Sequence, residues 1–341
     1  MEKVFKFISN LFKDNDPIII MPFGGYANDT HIFSQARVLE DEGIEDKEDR
    51  GCIRNVYNSY KRFETDEIPD SNVKVLIDKK KIADLHSDKE GYIYLESPHN
   101  LELINQNKNQ WIPVTYQLYL NNKPDFKVVD YVLYPSKDAS YGIITDMDET
   151  VIETGLTSRF KWKVIVNSFF KHSNARLPLQ GVQEFYQKLS KGSTGGKENP
   201  FFYLSNSPWN LHEYLTRFLA YHHFPKGPLL LRDIGFENKR KSSFLERNKF
   251  LKISHILNAY PYLPFILIGD AVDIDSEIYI EVAKQFPNRI KVIYIRTVND
   301  KKKMEVIEKL IENNTHVEVK LIKNTEEAIE HAAKNNLITT V

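Results

Sequence analysis

The feature that most constrains the fold is the alternation, after Pro135, of short apolar runs with amphipathic segments. The apolar runs predict strands at 141–145, 201–204, 228–231, 265–268, 290–295 and 316–321. Helical periodicity between and after them predicts helices at 181–190, 208–222, 249–259, 276–286, 302–313 and 325–335. Such alternation predicts a mainly parallel sheet with helices on both faces. Its functional site is expected at the carboxyl ends of the strands.

The preceding part of the chain has a different pattern. Short β-type runs dominate it, at 17–23, 31–39, 72–77, 91–95, 114–120 and 126–133, with a helix predicted at 53–63. Apolar residues within 3–13 recur on one helical stripe. We therefore expect three parts: an N-terminal amphipathic helix at 1–16, an antiparallel β-sandwich-like domain at 17–135 and an α/β domain at 136–341.

Composition excludes several classes of protein. The 46 Lys and Arg residues balance 47 Asp and Glu residues, so the chain lacks the charge of a dedicated nucleic-acid binder. Cys52 is the single cysteine, which excludes an intrachain disulfide and a thiolate zinc site and favours a reducing compartment. No run approaches 18 apolar residues, so no transmembrane segment is predicted. A cytoplasmic protein is expected, peripheral on membranes if the N-terminal helix lies on anionic lipid rather than on its own domain.

Two carboxylates follow the first strand of the α/β part. Asp146 and Asp148 lie one residue apart after Gly142-Ile-Ile-Thr145, where both could reach a hard divalent cation in the crevice. A solvated turn is the alternative. A calcium loop of the EF-hand type is excluded, because Thr150 and Val151 stand where that loop needs Asp or Asn and then Gly.

Two further strand ends carry polar side chains. Ser205 lies in Tyr203-Leu-Ser-Asn-Ser-Pro-Trp209, where Pro208 is suited to open a helix, so a phosphate site and a plain N-cap by Ser205 or Ser207 are both possible. Asp270 ends Phe265-Ile-Leu-Ile-Gly-Asp270 and is followed by Asp273 and Asp275, an arrangement that suits Mg²⁺ or helix capping. Lys249 begins a predicted helix, where only its place in this series distinguishes it from Lys241 or Lys252.

The order Asp-x-Asp-x-Thr, strand-end Ser, Lys, Gly-Asp-x4-Asp is the motif order of the haloacid dehalogenase superfamily. Residues 136 to about 297 resemble the catalytic domain of the actin-patch-associated phosphatidate phosphatase family and its bacterial relatives. The resemblance extends through Gly227-Pro-Leu-Leu-Leu-Arg-Asp233 and Phe286-Pro-Asn-Arg-Ile290. In the front half it covers Gly24-Gly-Tyr26 and Arg37-Val-Leu-Glu-Asp-Glu-Gly43. The family commonly has Ser-Gly-Gln after Gly-Asp, where this chain has Ala271-Val272-Asp273.

The resemblance implies a haloacid-dehalogenase-like, Rossmannoid sheet with a small helical lid and a Mg²⁺-dependent phosphatase. It implies that Asp146 is the nucleophile that forms an aspartyl phosphate and that Asp148 is the acid and base. Ser205 and Lys249 would neutralise the phosphoryl charge, and Thr150 and Asn206 are catalytic candidates within the matched motifs. The metal ligands would be Asp146, the carbonyl of Asp148, Asp270 and either Asp275 or Asp273.

The substrate is the less determined part of this interpretation. Family resemblance implies phosphatidate or a related lipid phosphate. The basic and aromatic residues of 158–171 suit either a lid that contacts anionic lipid or an ordinary lid helix. Alternatives are a phosphatase of a soluble phosphomonoester or phosphoprotein, and a binding or scaffold protein with a vestigial site. The oligomeric state and the role of the β-rich domain are left open.

Overall fold

A computed structural model describes residues 17–40, 68–99, 108–121, 123–147, 151, 178–196, 198–232 and 242–339. The helices predicted at 1–16 and 53–63 lie outside these residues. Within them, no helix combines the length and the apolar character needed to cross a bilayer. The predicted division into 1–16, 17–135 and 136–341 stays a prediction.

In the described part of the front half, the strands form one sheet of seven. They are β1 (Ile18–Ala27), β2 (His31–Glu40), β3 (Asn72–Ile77), β4 (Lys80–His86), β5 (Tyr92–Pro98), β6 (Gln110–Leu120) and β7 (Lys123–Tyr134). Their order is β4-β3-β6-β7-β1-β2-β5, and all neighbours are antiparallel except β1 and β7. The sheet curls until its edges approach, since the Ser97 hydroxyl on β5 donates to the Ile82 carbonyl on β4 at 3.2 Å.

This single curled sheet corrects the expectation of a sandwich. Pairing runs without a break from one edge to the other, so the apolar faces close on themselves into a near-barrel rather than packing as two separate sheets. Strand β4 was missed because Lys80-Lys-Ile-Ala-Asp-Leu-His86 lacks alternation, and its side chains stay largely exposed at an edge of the sheet.

The back half contains a second sheet, parallel throughout its described strands. These are β8 (Gly142–Asp146), β9 (Phe201–Pro208), β10 (Leu229–Arg232), β11 (Phe265–Asp270), β12 (Ile290–Arg296) and β13 (Val319–Ile322). The helices are α1 (Val182–Lys191), α2 (His212–Tyr221), α3 (Ser242–Ala259), α4 (Asp275–Gln285), α5 (Lys301–Glu312) and α6 (Thr325–Lys334). These elements confirm the predicted alternation, but some bounds differ. A 3₁₀ turn, Trp209–Leu211, precedes α2, so that helix begins later than expected. Helix α3 begins at Ser242 rather than at 249, and β9 continues to Pro208, so Lys249 lies within its helix and Ser205 within its strand.

The strand order of the second sheet is β10-β9-β8-β11-β12-β13. The chain proceeds outward from β8 to β10, then returns to the other side of β8 and proceeds outward again. This is the order of a doubly wound sheet, and it places the topological switch point between β8 and β11. A crevice is expected at the carboxyl ends of those two strands, because the chain leaves them toward opposite sides.

The two sheets share a hydrophobic core. Tyr26 and Leu133 of the front sheet pack in one cluster with residues of the second sheet and its helices, including Phe202 and Ile256. The Tyr260 hydroxyl also donates to the Ala27 carbonyl at 2.9 Å. The front sheet therefore packs directly on the elements that carry the site.

Candidate active site

Three aspartates meet at the switch point. Asp146 is the last residue of β8, Asp270 is the last residue of the adjacent strand β11, and Asp275 is the first residue of α4. One carboxylate oxygen from each lies within 4.8 Å of the others. All three side chains are buried. Asp146 thus meets two carboxylates that lie 124 and 129 positions later in the sequence, because parallel strands end at the same edge of a sheet.

Lys249 lies between two of these carboxylates. Its ammonium donates to Asp146 Oδ1 at 2.7 Å and also to Asp275 Oδ1. Burial acts to lower the pKa of the Lys249 amine, but the charges of Asp146 and Asp275 outweigh it and raise that pKa well above its usual value. Lys249 is therefore an ammonium that holds the nucleophile candidate on β8 and the carboxylate on α4 in fixed relative positions.

Backbone amides hold the Asp270 carboxylate. Asp270 Oδ1 accepts from the amides of Val272 and Asp273, the latter at 3.0 Å. These donors belong to the main chain, so the departure of Ala271-Val272-Asp273 from the family pattern leaves them in place. Among the described residues it is Asp275, not Asp273, whose carboxylate joins the cluster.

Gly269 lets Asp275 approach the strand. A Cβ at this position would lie 2.3 Å from Asp275 Oδ2 and 2.8 Å from Tyr279 Cε2. Asp275 Oδ2 accepts a hydrogen bond at 3.3 Å from the amide of Asp270, the residue that follows this glycine. The glycine of the Gly-Asp motif is therefore required for steric reasons, since any side chain at position 269 would displace the Asp275 carboxylate.

The cluster has the charge and the donor set for a hard divalent cation. Among the described residues, three carboxyl groups meet here and one ammonium, that of Lys249, contacts two of them, so the ionised site carries an excess of negative charge. Burial, reinforced by the charge of Asp275, raises the pKa of Asp270 to about 7. Carboxylate oxygens are preferred ligands of Mg²⁺. The residues present therefore fit that ion.

Ser205 and Asn206 lie on β9, next to β8. The Ser205 hydroxyl accepts from the Ser207 amide at 3.0 Å. Neither the 3₁₀ turn nor α2 begins with a side-chain cap, so the alternative role of Ser205 or Ser207 as an N-cap is not what the structure shows. A surface depression beside Lys249 is lined by Leu204, Ser205, Asn206, Leu230, Asn248, Lys249 and Lys252. Polar donors thus line a recess next to the carboxylate cluster.

Two of these lining residues were missed from the sequence. Nothing in the local sequence singles out Asn248, and Lys252 has the pattern of an ordinary surface charge. Lys252 follows Lys249 by three residues on α3, and residues at that spacing share a helix face. Its ammonium donates to the Leu231 carbonyl and lies part-buried. The spacing could have indicated it once Lys249 was placed at a site.

The other predicted site residues, Asp148 and Thr150, lie outside the described residues, as does the predicted lid at 158–171. The structure thus brings together Asp146, Asp270, Asp275 and Lys249, with Ser205 and Asn206 beside Lys249. The catalytic and metal-binding roles of all of them remain proposals.

Comparison with known proteins concerns the same part of the chain. Residues 141–297 match the family model of the catalytic domain of phosphatidate phosphatase APP1. The chain is 34% identical over 157 residues to "Phosphatidate phosphatase APP1" of Saccharomyces cerevisiae and 29% identical over 160 residues to an uncharacterized protein of Schizosaccharomyces pombe. Each match covers 46% of this chain and 25% of the relative, so the chain matches about a quarter of their length. The predicted resemblance of this segment to a phosphatase catalytic domain is confirmed.

Similarity to solved structures is weak. A β-glucuronidase from Ruminococcus gnavus aligns over 90% of this chain and 53% of its own, with 10% identity and a TM-score of 0.26. At that score, no conclusion about the fold or the chemistry follows.

Proposed function

We propose that this chain is a Mg²⁺-dependent phosphomonoester hydrolase that works through an aspartyl phosphate on Asp146, with phosphatidate or a related lipid phosphate as substrate. The observation that carries the proposal is the convergence of Asp146, Asp270, Asp275 and Lys249 at the switch point, inside the segment that matches a phosphatidate phosphatase catalytic domain. The doubly wound strand order supports a haloacid-dehalogenase-like arrangement of this half.

In the first step, a carboxylate oxygen of Asp146 attacks phosphorus and the bond from phosphorus to the ester oxygen breaks. Asp148, as a carboxylic acid, gives its proton to the departing alkoxide, so the alcohol leaves neutral. In the second step, Asp148 takes a proton from water while the water oxygen attacks phosphorus. The bond to Asp146 breaks, phosphate leaves, and both carboxyl groups return to their starting states.

The surrounding residues orient the nucleophile and the phosphate and stabilise the charge that develops on the phosphoryl oxygens. Lys249 holds Asp146 through Oδ1, and the same ammonium offsets negative charge as it develops on the phosphoryl oxygens. Ser205, Asn206 and Lys252 line the recess on the side of Lys249, where they would hold the phosphate of the substrate. Asp146, Asp270 and Asp275 would hold Mg²⁺ together with the Asp148 carbonyl. When bound, that ion supplies charge neutralisation for the phosphoryl group.

The preference for a lipid substrate comes from the similarity of residues 141–297 to the APP1 catalytic domain. With a lipid substrate, the enzyme would act at a membrane surface from the cytoplasm, as a peripheral rather than a spanning protein.

The test is phosphate release by the purified full chain from phosphatidate in mixed micelles. We expect turnover with Mg²⁺, loss of turnover with a chelator, and loss of at least about a thousandfold in Asp146→Asn. Labelled phosphate should remain on the wild-type protein after an acid quench and be absent from Asp146→Asn. Full activity of Asp146→Asn would overturn the assignment of the nucleophile.

The substrate is tested separately, with lysophosphatidate, a sugar phosphate, a phosphopeptide and a generic chromogenic phosphate. Preference for a soluble phosphomonoester would keep the chemistry and overturn the lipid assignment. No turnover of any of these substrates with Mg²⁺ would favour a binding protein.

A further inference from the structure

The first strand of the front sheet reverses which face its side chains occupy. Ile20 points into the interior of the curled sheet, while Met21 and Phe23 contact the cluster on its outer face. Further along, Ala27 lies in the interior and Tyr26 lies outside, in the core shared with the second sheet. In a regular strand, residues 23 and 26 would lie on opposite faces, because side chains alternate.

A bulge causes the reversal. The register with β2 shifts between Pro22 and Gly25, because Pro22 pairs with Ala36 and Gly25 pairs with Ser34, which leaves one extra residue on β1. Gly24 in the bulge has φ of +72°, a conformation that costs other residues energy. Gly25 has no room for a side chain, since a Cβ there would lie 2.1 Å from the Phe33 carbonyl oxygen. The Gly24-Gly-Tyr26 segment, unexplained by the catalytic site, thus turns both Phe23 and Tyr26 toward the second sheet.

Phe23 reaches the residue that follows strand β9. Its ring lies 6.1 Å from that of Trp209, centroid to centroid. The Arg37 guanidinium stacks on the same indole at 4.2 Å and on the Tyr92 ring at 4.7 Å. Because Trp209 comes four residues after Ser205, this aromatic and cationic stack fixes the end of the strand that carries Ser205 and Asn206.

Tyr26 reaches the helix that carries Lys249. Its hydroxyl lies 2.6 Å from His255 Nδ1, six residues after Lys249 on α3. The Phe33 ring packs against the same imidazole at 4.8 Å, and the Tyr26 ring packs edge-on against Phe202 of β9. The front sheet therefore contacts α3 and β9, two of the elements that line the recess.

We propose that the front sheet is a positioning part of the active site, with Tyr26 setting the Lys249 helix and Arg37 setting the Ser205 strand end. The glycine bulge is what allows one strand to serve both elements. Tyr26 and Arg37 touch neither substrate nor metal in this scheme and act through His255 and Trp209. This inference rests on the proposed function for its catalytic consequence, while the contacts themselves can be tested without it.

Tyr26→Phe is the primary test, because it removes only the hydroxyl that contacts His255. Tyr294→Phe is its matched control: the Tyr294 hydroxyl lies 3.0 Å from His331 Nδ1, also between a strand and a helix, and Tyr294 is likewise buried. We expect kcat to fall about tenfold in Tyr26→Phe with KM little changed, since small displacements of positioned groups cost rate. Tyr294→Phe should retain kcat at a similar loss of melting temperature. Equal kcat values in the two variants would overturn the role of Tyr26.

Hydrogen exchange of the same two variants supplies a readout that does not need turnover. Tyr26→Phe should raise amide exchange in 248–257, and Tyr294→Phe should not. If the wild type releases no phosphate from any tested substrate, the proposed function fails, and the positioning inference is then decided by exchange alone. Unchanged exchange at 248–257 in Tyr26→Phe would overturn it.

The bulge and the Arg37 contact have their own variants. Gly24→Val should lower kcat and stability. Gly24→Asn should retain much of the wild-type kcat and stability, because Asn tolerates the left-handed conformation better than Val. A Cβ itself fits at this position, since the nearest atom to it is the Tyr131 carbonyl oxygen at 3.8 Å. Arg37→Lys should raise exchange at 203–211, because lysine keeps the charge but loses the planar stack. Equal activity in Gly24→Val and Gly24→Asn, or unchanged exchange at 203–211 in Arg37→Lys, would contradict the corresponding part.

Discussion

The ammonium of Lys249 lies 2.7 Å from the carboxylate of Asp146, although 103 residues separate them in sequence. The same ammonium also contacts Asp275, so a single side chain of α3 joins a strand end and a helix start. Because all three groups are buried, their charges interact strongly. Water could not take the place of a lost partner without rearrangement of the site. This relationship supports both the stability of the site and its proposed chemistry.

Replacement of Lys249 by Met should destabilise the protein and abolish turnover. Removing one partner from a buried pair leaves uncompensated carboxylates, which costs about 3–5 kcal/mol. Lys252→Met, three residues away and part-buried, should cost about 1 kcal/mol, since it loses the hydrogen bond to the Leu231 carbonyl. Urea unfolding of the metal-free proteins measures both values. Similar losses in the two variants would show that the Lys249 contacts carry no special weight.

Gly269→Ala should weaken metal binding, although it replaces none of the proposed metal ligands. The new methyl group would lie 2.3 Å from Asp275 Oδ2, so the carboxylate or the helix start must shift. We expect Mg²⁺ affinity to fall about tenfold and stability to fall by about 1–3 kcal/mol. Gly196→Ala is the control, because no atom lies within 4 Å of its Cβ. Calorimetric titration with Mg²⁺ checks the first effect, and unchanged affinity would contradict the steric role of Gly269.

Mg²⁺ affinity should depend on pH through Asp270. Burial and the Asp275 charge raise the pKa of Asp270 to about 7, so the metal-free carboxyl carries a proton below that pH and must lose it to bind the ion. Affinity should therefore fall by up to about tenfold per pH unit below 7 and level off above it. Equilibrium dialysis from pH 5.5 to 8.5 would show this. A flat profile would mean that Asp270 is not a ligand or is already ionised.

Stability should fall in mild acid because of His212, at the contact between the sheets. Burial lowers the pKa of His212 from 6.5 to about 4, against the opposing effect of its hydrogen bond with the Phe23 backbone. Between those two pH values the unfolded chain binds a proton that the folded chain does not, so the free energy of unfolding decreases as pH decreases. The loss should be on the order of 2–3 kcal/mol between pH 7 and 4.

His212→Asn, which has no titrating ring, is the comparison for this effect. The variant should be less stable than the wild type at pH 7 and lose this part of the pH dependence, so that the difference narrows toward pH 4. Parallel stability curves for the two proteins would show that His212 does not carry the effect.

Much of the back half could be predicted because its information is local. The apolar run ending at Asp146 and the run ending at Asp270 each predict a buried strand, and a parallel sheet brings such ends to one edge. The front half was less predictable. Strand β4 has no alternation, and whether seven strands form a sandwich or a curled sheet depends on the pairing of distant strands.

The sequence alone determined the alternation of strands and helices, the strand ends that carry Asp146 and Asp270, and the order of motifs, since periodicity and turn residues express these within short windows. Only the tertiary structure decided that Asp275 rather than Asp273 joins the carboxylates, that Lys252 faces the recess, and that Tyr26 contacts the Lys249 helix. Those facts depend on which side of a helix or bulge a residue occupies relative to elements far away in the chain. Such relations are fixed by packing, which no local pattern encodes.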